Sequence, residues 1–86
     1  MSKGTRAPHA VELGARVRAA RTARGWSQEV LAERAGLHWT YVGSVERGER
    51  NLSLLNILRL AAALDVDAGD LVTGLEPPVK RSAKRP

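Results

Sequence analysis

Apolar residues recur every three or four positions through most of this chain, which is the spacing of amphipathic helices. In the first such segment Leu13, Val17 and Ala20 share one face. Gly25 follows that segment as a stop, so the pattern predicts a first helix over residues 10–23. No stretch alternates apolar and polar residues as a half-buried strand does, and the chain is therefore predicted to be all-α.

Helix caps and stops predict four further helices, over residues 28–35, 39–47, 54–64 and 68–73. Ser27 and Ser53 precede two of them and are good N-terminal caps, because a hydroxyl oxygen accepts a hydrogen bond from a free amide of the first turn. His38 precedes the third helix and is a poorer cap. Asp67, with Asp70 three residues later, resembles a capping box for the last helix.

The second and third predicted helices have the residues that two short helices need in order to cross at a tight turn. The apolar and small residues expected to face inward are Leu31, Ala32, Ala35, Leu37, Val42 and Val45. Gly36 can adopt the left-handed backbone conformation that ends the first of the two helices. Together these positions form the helix-turn-helix pattern, which is typical of proteins that place the second helix of the pair in the major groove of DNA.

Length and composition limit the alternatives. Eighty-six residues are enough for one small helical domain. The chain has no cysteine, and His9 and His38 are too few and too far apart for a metal cluster, so we expect no metal and no cofactor. It has no signal-peptide core and no apolar run of membrane length, which predicts a cytoplasmic protein without a membrane partner. Nucleophile–base pairs, phosphate-binding glycine loops and carboxylate clusters are also missing from the sequence, which argues against an enzyme.

The net charge of +5 is concentrated at the ends of the chain. Residues 1–9 and 77–86 hold six basic and no acidic residues, which leaves residues 10–76 at −1. We expect a disordered arm over 1–9, a folded domain over 10–76 and a basic disordered tail over 77–86. Such tails either attract phosphates non-specifically or only keep the protein soluble.

The chain resembles the Cro/cI (Xre) family of phage-repressor-like regulators from about Leu13 to Leu75. The segments that carry the resemblance are LGARVRAARTARGWSQ (13–28), LAERAGL (31–37), VERGERN (45–51), SL (53–54) and LAAAL (60–64). The resemblance implies a five-helix lambda-repressor-like domain, a homodimer on a two-fold DNA operator, and transcriptional regulation. The stretch over 36–51 also resembles controller proteins of restriction–modification systems, although many other small bacterial regulators share it.

A helix in the major groove presents its N-terminal turn and one face to base edges. The predicted base contacts are therefore His38, Trp39, Thr40, Gly43 and Ser44. Trp39 departs from the family pattern, because an indole cannot make the bidentate contact that arginine makes to guanine. We expect it to touch thymine methyls or sugar–phosphate, and the alternative is that it folds back over the turn between the two helices.

A second set of residues is predicted to bind phosphates. It comprises Arg24, Gln28, Tyr41, Arg47, Arg50 and Asn51. Gln28 lies in the first turn of the second helix, where free amides and the helix dipole favour an anion, and the family uses a glutamine there. The Tyr41 hydroxyl either reaches a phosphate or lies at the edge of the core. The resemblance gives Arg21 and Glu46 a structural role instead, as a partly buried ion pair.

The fourth predicted helix has more apolar surface than one core face needs. Leu54, Ile57, Leu60, Ala61 and Leu64 are expected to fill the core. A second stripe predicts a two-fold dimer interface, and it consists of Leu55, Leu58 and Ala62, with Val72 and Leu75 nearby. The alternative is that the last helix or the tail covers this stripe within one chain.

The residues and the resemblance together predict a sequence-specific, DNA-binding transcriptional regulator that binds double-stranded DNA as a homodimer. One alternative is an antitoxin, which would regulate its own operon and also neutralise a protein toxin as a partner. Another is a helix-turn-helix domain that bridges proteins and has no operator.

Overall fold

The structure, a computed structural model, describes residues 6–77, and these residues form five helices without a strand. The helices are α1 (Pro8–Ala23), α2 (Gln28–Ala35), α3 (Trp39–Glu46), α4 (Leu54–Leu64) and α5 (Ala68–Val72). The all-α prediction is confirmed. The predictions for residues 1–5 and 78–86 lie outside the described residues. None of the helices within 6–77 is long and apolar enough to cross a membrane.

Helix α1 begins two residues before the predicted start. Pro8 occupies its first turn, where a missing amide hydrogen costs nothing and the fixed φ suits a helix. The carbonyl oxygen of Ala7 accepts from the amides of Ala10 and Val11 at 3.0 and 3.1 Å. The assignment of Pro8 and His9 to a disordered arm was therefore wrong, because the proline starts the helix rather than interrupting it.

The two predicted serine caps are present. Ser27 Oγ accepts from the amide of Val30, and Ser53 Oγ accepts from the amide of Asn56, each at 3.1 Å. The predicted capping box of α5 is wrong, because the Asp67 side chain makes no capping hydrogen bond. The predicted ends of α3 and α5 were each one residue late, since α3 ends at Glu46 and α5 ends at Val72.

The core lies between the helix-turn-helix pair and the surrounding helices α1, α4 and α5. Its fully buried side chains are Val17, Leu31, Val42, Val45, Leu60 and Leu64. Leu54 was predicted to join them but is 71% exposed, so that prediction was wrong. Ile57, one turn further along α4, packs against the core instead, and the first turn of α4 extends beyond it.

Helices α1 and α3 approach each other closely at Gly14. A Cβ atom at this position would overlap the carbonyl oxygen of Val45 and lie 2.9 Å from that of Glu46. A residue without a side chain therefore allows α1 to rest against the backbone of α3. This contact helps to fix the position of α3, which also packs against α2.

Candidate nucleic-acid interface

The turn between α2 and α3 has the geometry that the sequence predicts. Gly36 has φ 72° and ψ 33°, which is the left-handed conformation that glycine adopts without strain. The amide of Leu37 donates to the carbonyl oxygen of Ala32 at 2.9 Å and closes the end of α2. Leu37 packs against the core, so the turn holds α3 at a fixed angle to α2.

The first turn of α3 exposes three of the predicted base contacts side by side. His38, Trp39 and Thr40 are all exposed, and Trp39 keeps 51% of its surface accessible. The Trp39 indole stacks on the His38 imidazole, with ring centroids 6.2 Å apart and planes inclined by 21°. An apolar ring and two polar side chains are thus presented together at the start of the helix.

His38 is a better cap than the sequence predicted. Its Nδ1 atom accepts from the amide of Thr40 at 3.2 Å, which satisfies one of the free amides of the first turn. The same nitrogen lies 2.8 Å from Thr40 Oγ1. One imidazole atom therefore holds both the backbone and the hydroxyl of Thr40.

Gly43 and Ser44 do not share this exposed surface. Ser44 is 6% exposed, and its hydroxyl donates to the carbonyl oxygen of Tyr41 at 2.7 Å and accepts from Arg50 Nε at 2.9 Å. Gly43 lies beneath the side chains of Gln28 and Arg47, which a Cβ there would meet at 3.3 and 3.2 Å. The expectation that both residues lie on the open face of α3 was wrong, because longer side chains cover this part of the helix.

A hydrogen-bonded network joins α1, α2 and α3 at Glu46, the last residue of α3. Arg21 Nε and Nη2 donate to the two carboxylate oxygens of Glu46 at 2.6 and 2.9 Å. Arg21 Nη1 also donates to the carbonyl oxygen of Trp26 at 2.7 Å. The hydrogen bond to Glu46 raises the pKa of Arg21 above its ordinary value, although burial acts in the opposite direction. This is the ion pair that the resemblance implies, and it holds the helices in register.

Gln28 belongs to the same network. Its amide nitrogen donates to Glu46 Oε1 at 2.9 Å. The side chain is thus held at the start of α2, where the helix N-terminus favours an anion. Its carbonyl oxygen lies beside Gly43, as does the guanidinium of Arg47.

The arginines after α3 are held by partners within the chain. Arg47 Nε and Nη2 contact the Glu49 carboxylate at 3.1 and 3.3 Å, and Arg6 Nη2 contacts it at 2.8 Å. Hydrogen bonds from Arg47 and Arg6 lower the pKa of the Glu49 carboxyl below its ordinary value. No local pattern in the sequence predicts the Arg6–Glu49 contact, because 43 positions separate the two residues.

Tyr41 lies at the edge of the core, which is one of the two alternatives that the sequence left open, and its contact with a phosphate stays a prediction. Its ring is half-buried against the core, and its hydroxyl accepts from Asn56 Nδ2 at 3.1 Å. The Arg50 guanidinium lies over this ring, 5.4 Å from the centroid. Asn51 is exposed next to Arg50.

Arg24 lies apart from the arginines at the end of α3. Its guanidinium is 5.6 Å from the centroid of the Trp26 ring, and that of Arg34 is 4.4 Å away. Both contacts are cation–π interactions. Trp26 itself packs partly against the core.

The predicted dimer stripe is exposed over most of its length. Leu55 is 56% exposed, Leu58 is 47% exposed, and Ala62 and Val72 are exposed as well. Leu75 differs, because it packs partly against the core.

Comparison with known proteins gives a consistent family. The helix-turn-helix family matches residues 17–71. The control protein C.SmaI of Serratia marcescens is 49% identical over 61 residues, which cover 71% of this chain and 73% of that protein. The crystal structure of the restriction-modification controller protein C.AhdI from Aeromonas hydrophila superimposes with a TM-score of 0.71 and 56% identity, over 72% of this chain and 94% of that one.

A third relative was solved with DNA. SinR, the master regulator for biofilm formation, was crystallised in complex with DNA, and it superimposes with a TM-score of 0.66 and 35% identity. The match covers 69% of this chain and 95% of that one. The chain therefore belongs to the helix-turn-helix family of the Cro/cI (Xre) type, whose members are DNA-binding transcription regulators and not enzymes.

Proposed function

We propose that this protein is a sequence-specific transcriptional regulator that binds an inverted-repeat operator as a homodimer, with α3 in the major groove. As in the relatives named as controller proteins, the regulated genes would be those of a restriction–modification system. The observation that carries the proposal is the first turn of α3, where His38, Trp39 and Thr40 are exposed together. Side chains at the start of a recognition helix are the ones that reach base edges.

The setting of α3 supports this proposal. A reading helix must be held rigidly, because a small displacement separates its side chains from the base edges. The absence of a side chain at Gly14 lets α3 pack closely against α1. The Arg21–Glu46 ion pair joins the same two helices. These contacts hold the C-terminal end of α3, at Val45 and Glu46, and so position the helix whose first turn is exposed.

The positions of Gln28 and Arg47 supply the sequence-independent part of binding. Both lie beside Gly43, Gln28 on α2 and Arg47 directly after α3. A phosphate in this region could accept from the Arg47 guanidinium and from the amide hydrogen of Gln28 that does not bind Glu46. Contacts of this kind fix the register of a protein on DNA but carry no sequence information. Thr40 and Gln28 therefore have separable roles in the proposal.

The exposed stripe on α4 supports the homodimer. A small domain seldom leaves several neighbouring apolar side chains in water unless they form a contact surface. A two-fold axis through this stripe would place two α3 helices about one DNA turn apart, which corresponds to half-sites about ten base pairs apart. None of the relatives named above is described as a toxin antagonist, and we do not carry the antitoxin alternative further.

The two roles can be separated by substitution. Thr40→Ala should reduce affinity for the operator but leave binding to random DNA unchanged, since it removes a base contact. Gln28→Ala should weaken binding to the operator and to random DNA alike, since it removes a phosphate contact. Fluorescence anisotropy on both duplexes measures the difference, with thermal melts to verify that each variant folds. Equal losses on both duplexes for both variants would contradict the division of roles.

A further inference from the structure

We infer that His38 orients the Thr40 hydroxyl so that Thr40 selects a base with an exocyclic amino group. The inference rests on the proposed function and specifies what one residue of the α3 turn recognises. A threonine hydroxyl on its own is ambiguous, because it can donate or accept a hydrogen bond. The contacts of His38 remove this ambiguity.

The first step fixes the tautomer of His38. Its Nδ1 atom is 3.2 Å from the backbone nitrogen of Thr40, and that group can only donate. Nδ1 must therefore offer its lone pair, which places the ring proton of the neutral imidazole on Nε2. The Trp39 ring lies beside the same imidazole, with the ring centroids 6.2 Å apart.

The second step fixes the hydroxyl proton. Thr40 Oγ1 lies 2.8 Å from the same Nδ1 atom. If the hydroxyl proton pointed elsewhere, two lone pairs would face each other at this distance. The hydroxyl therefore donates to Nδ1, and Oγ1 is left with lone pairs alone for any partner in the groove.

The third step identifies the partner. In the major groove the hydrogen-bond donors are the N6 amino group of adenine and the N4 amino group of cytosine. Guanine O6 and N7, adenine N7 and thymine O4 are all acceptors. An Oγ1 atom that can only accept is thus complementary to the two amino groups and is repelled by the acceptors.

Base analogues test this assignment directly. A wild-type binding-site selection gives the operator, and the position read by Thr40 is the one whose preference disappears in Thr40→Val. Two duplexes then differ from the operator at that position only. One lacks the amino group, with purine in place of adenine or 2-pyrimidinone in place of cytosine. The other lacks the N7 acceptor of the purine in that base pair, through a 7-deaza base.

Removal of the amino group should weaken wild-type binding about three- to tenfold, the scale of one hydrogen bond, and should leave Thr40→Val unaffected. Removal of N7 should weaken wild type and Thr40→Val equally, because Thr40 does not use that atom. A Thr40-dependent loss on the 7-deaza duplex, or no dependence on the amino group, would overturn the inference.

Two variants of His38 separate its positioning role from simple capping. His38→Asn keeps an acceptor oxygen for both hydrogen bonds, whereas His38→Ala has none. In His38→Ala the freed hydroxyl can donate, so base pairs that place an acceptor opposite Thr40 should become tolerated. His38→Asn should keep the wild-type preference. If His38→Ala retains the wild-type preference, His38 has no orienting role and the inference fails.

Failure of the proposed function gives a different result. A wild-type chain that enriches no sequence overturns the proposed function and this inference together. An enriched operator with no dependence on the amino group overturns the inference alone.

Discussion

Glu49 is the acidic residue that lies among the arginines at the end of α3. Its carboxylate binds Arg47 and Arg6 at once, and these hydrogen bonds lower the pKa of its carboxyl below the ordinary value. Phosphates must therefore compete with Glu49 for these two guanidinium groups. An exposed ion pair is weak in water, so the exchange of partners is feasible, but it reduces the net gain on binding.

Glu49→Gln should therefore strengthen DNA binding and make it more sensitive to salt. Each arginine that becomes free to neutralise a phosphate should steepen the slope of log K against log salt by about 0.9. Titrations of one duplex at several salt concentrations measure both quantities. Asp65→Asn is the control, because it removes the same charge at an exposed residue that forms none of the ion pairs described within 6–77, and asparagine tolerates its left-handed backbone. Equal effects of the two variants would show that only net charge matters.

The Arg21–Glu46 pair should be important for stability rather than for DNA contact. Its side chains are 11% and 3% exposed, so loss of one partner leaves the other charge in a partly dry site. Arg21→Met should lower the free energy of unfolding by about 3 kcal/mol. Urea unfolding measures the change, and Arg18→Met, at an exposed position of the same helix, should change it by less than about 0.5 kcal/mol. Equal stability of Arg21→Met and Arg18→Met would contradict the structural role of the Arg21–Glu46 pair.

The sequence predicted the role of a side chain well only where its position within its own helix decides its exposure, and poorly where contacts with other segments decide it. The exposure of Thr40 follows from its place in the first turn of α3. The burial of Ser44 does not, because it depends on Arg50 folding back from the following loop. Similarly, Leu54 matches the spacing of the core face of α4, but the neighbouring helices do not reach that turn.

At the scale of elements, hydrophobic spacing and caps predicted all five described helices. The ends were less accurate, and Pro8 is the clearest case. A proline in a segment without periodicity was interpreted as part of an unfolded arm, although its fixed φ also suits the first turn of a helix. The close approach of α1 and α3 could not be predicted at all, because a glycine in a helix has no signature for what lies beside it.

Gly14→Ala tests this approach. The added Cβ would collide with backbone atoms of α3, which cannot move aside as a flexible side chain could. We expect the two helices to separate and the midpoint of thermal unfolding to fall by about 5 °C or more, on the scale of overpacked cores. Gly69→Ala is the matched control, because the nearest atom to its added Cβ, Thr73 Oγ1, is 4.0 Å away.

Gly69→Ala should leave the melting temperature unchanged or raise it, since alanine favours a helix more than glycine does. A Gly14→Ala variant that melts like the wild type would show that α1 does not rest on α3 as described.

At the scale of the whole molecule, the proposal depends on two chains acting together. The apolar stripe of α4 is the surface available for this, and Leu58 lies at its centre between Leu55 and Ala62. The stripe could be predicted from the sequence because it exceeds what one core face needs. Its partner could not, since nothing in one chain specifies what covers the stripe.

Leu58→Lys should convert the dimer to a monomer, because it places a charge at the centre of an apolar contact. Sedimentation equilibrium should then give the mass of one chain, and binding to a full inverted repeat should fall to the level of a half-site duplex. The added charge is positive, so repulsion from DNA cannot explain a loss of affinity. Ala15→Lys adds the same charge at an exposed position on α1 and should leave both measurements unchanged. A Leu58→Lys variant that remains dimeric would exclude this stripe as the interface.

Selection of binding sites from a random duplex library tests the central claim most directly, with the winning duplex then titrated at two salt concentrations. The account predicts an inverted repeat with half-sites about ten base pairs apart, bound more tightly than random DNA at both salt concentrations. Binding that enriches no sequence and disappears with salt would contradict it. In that case the positive charges of the chain, and not the exposed turn of α3, would supply the affinity.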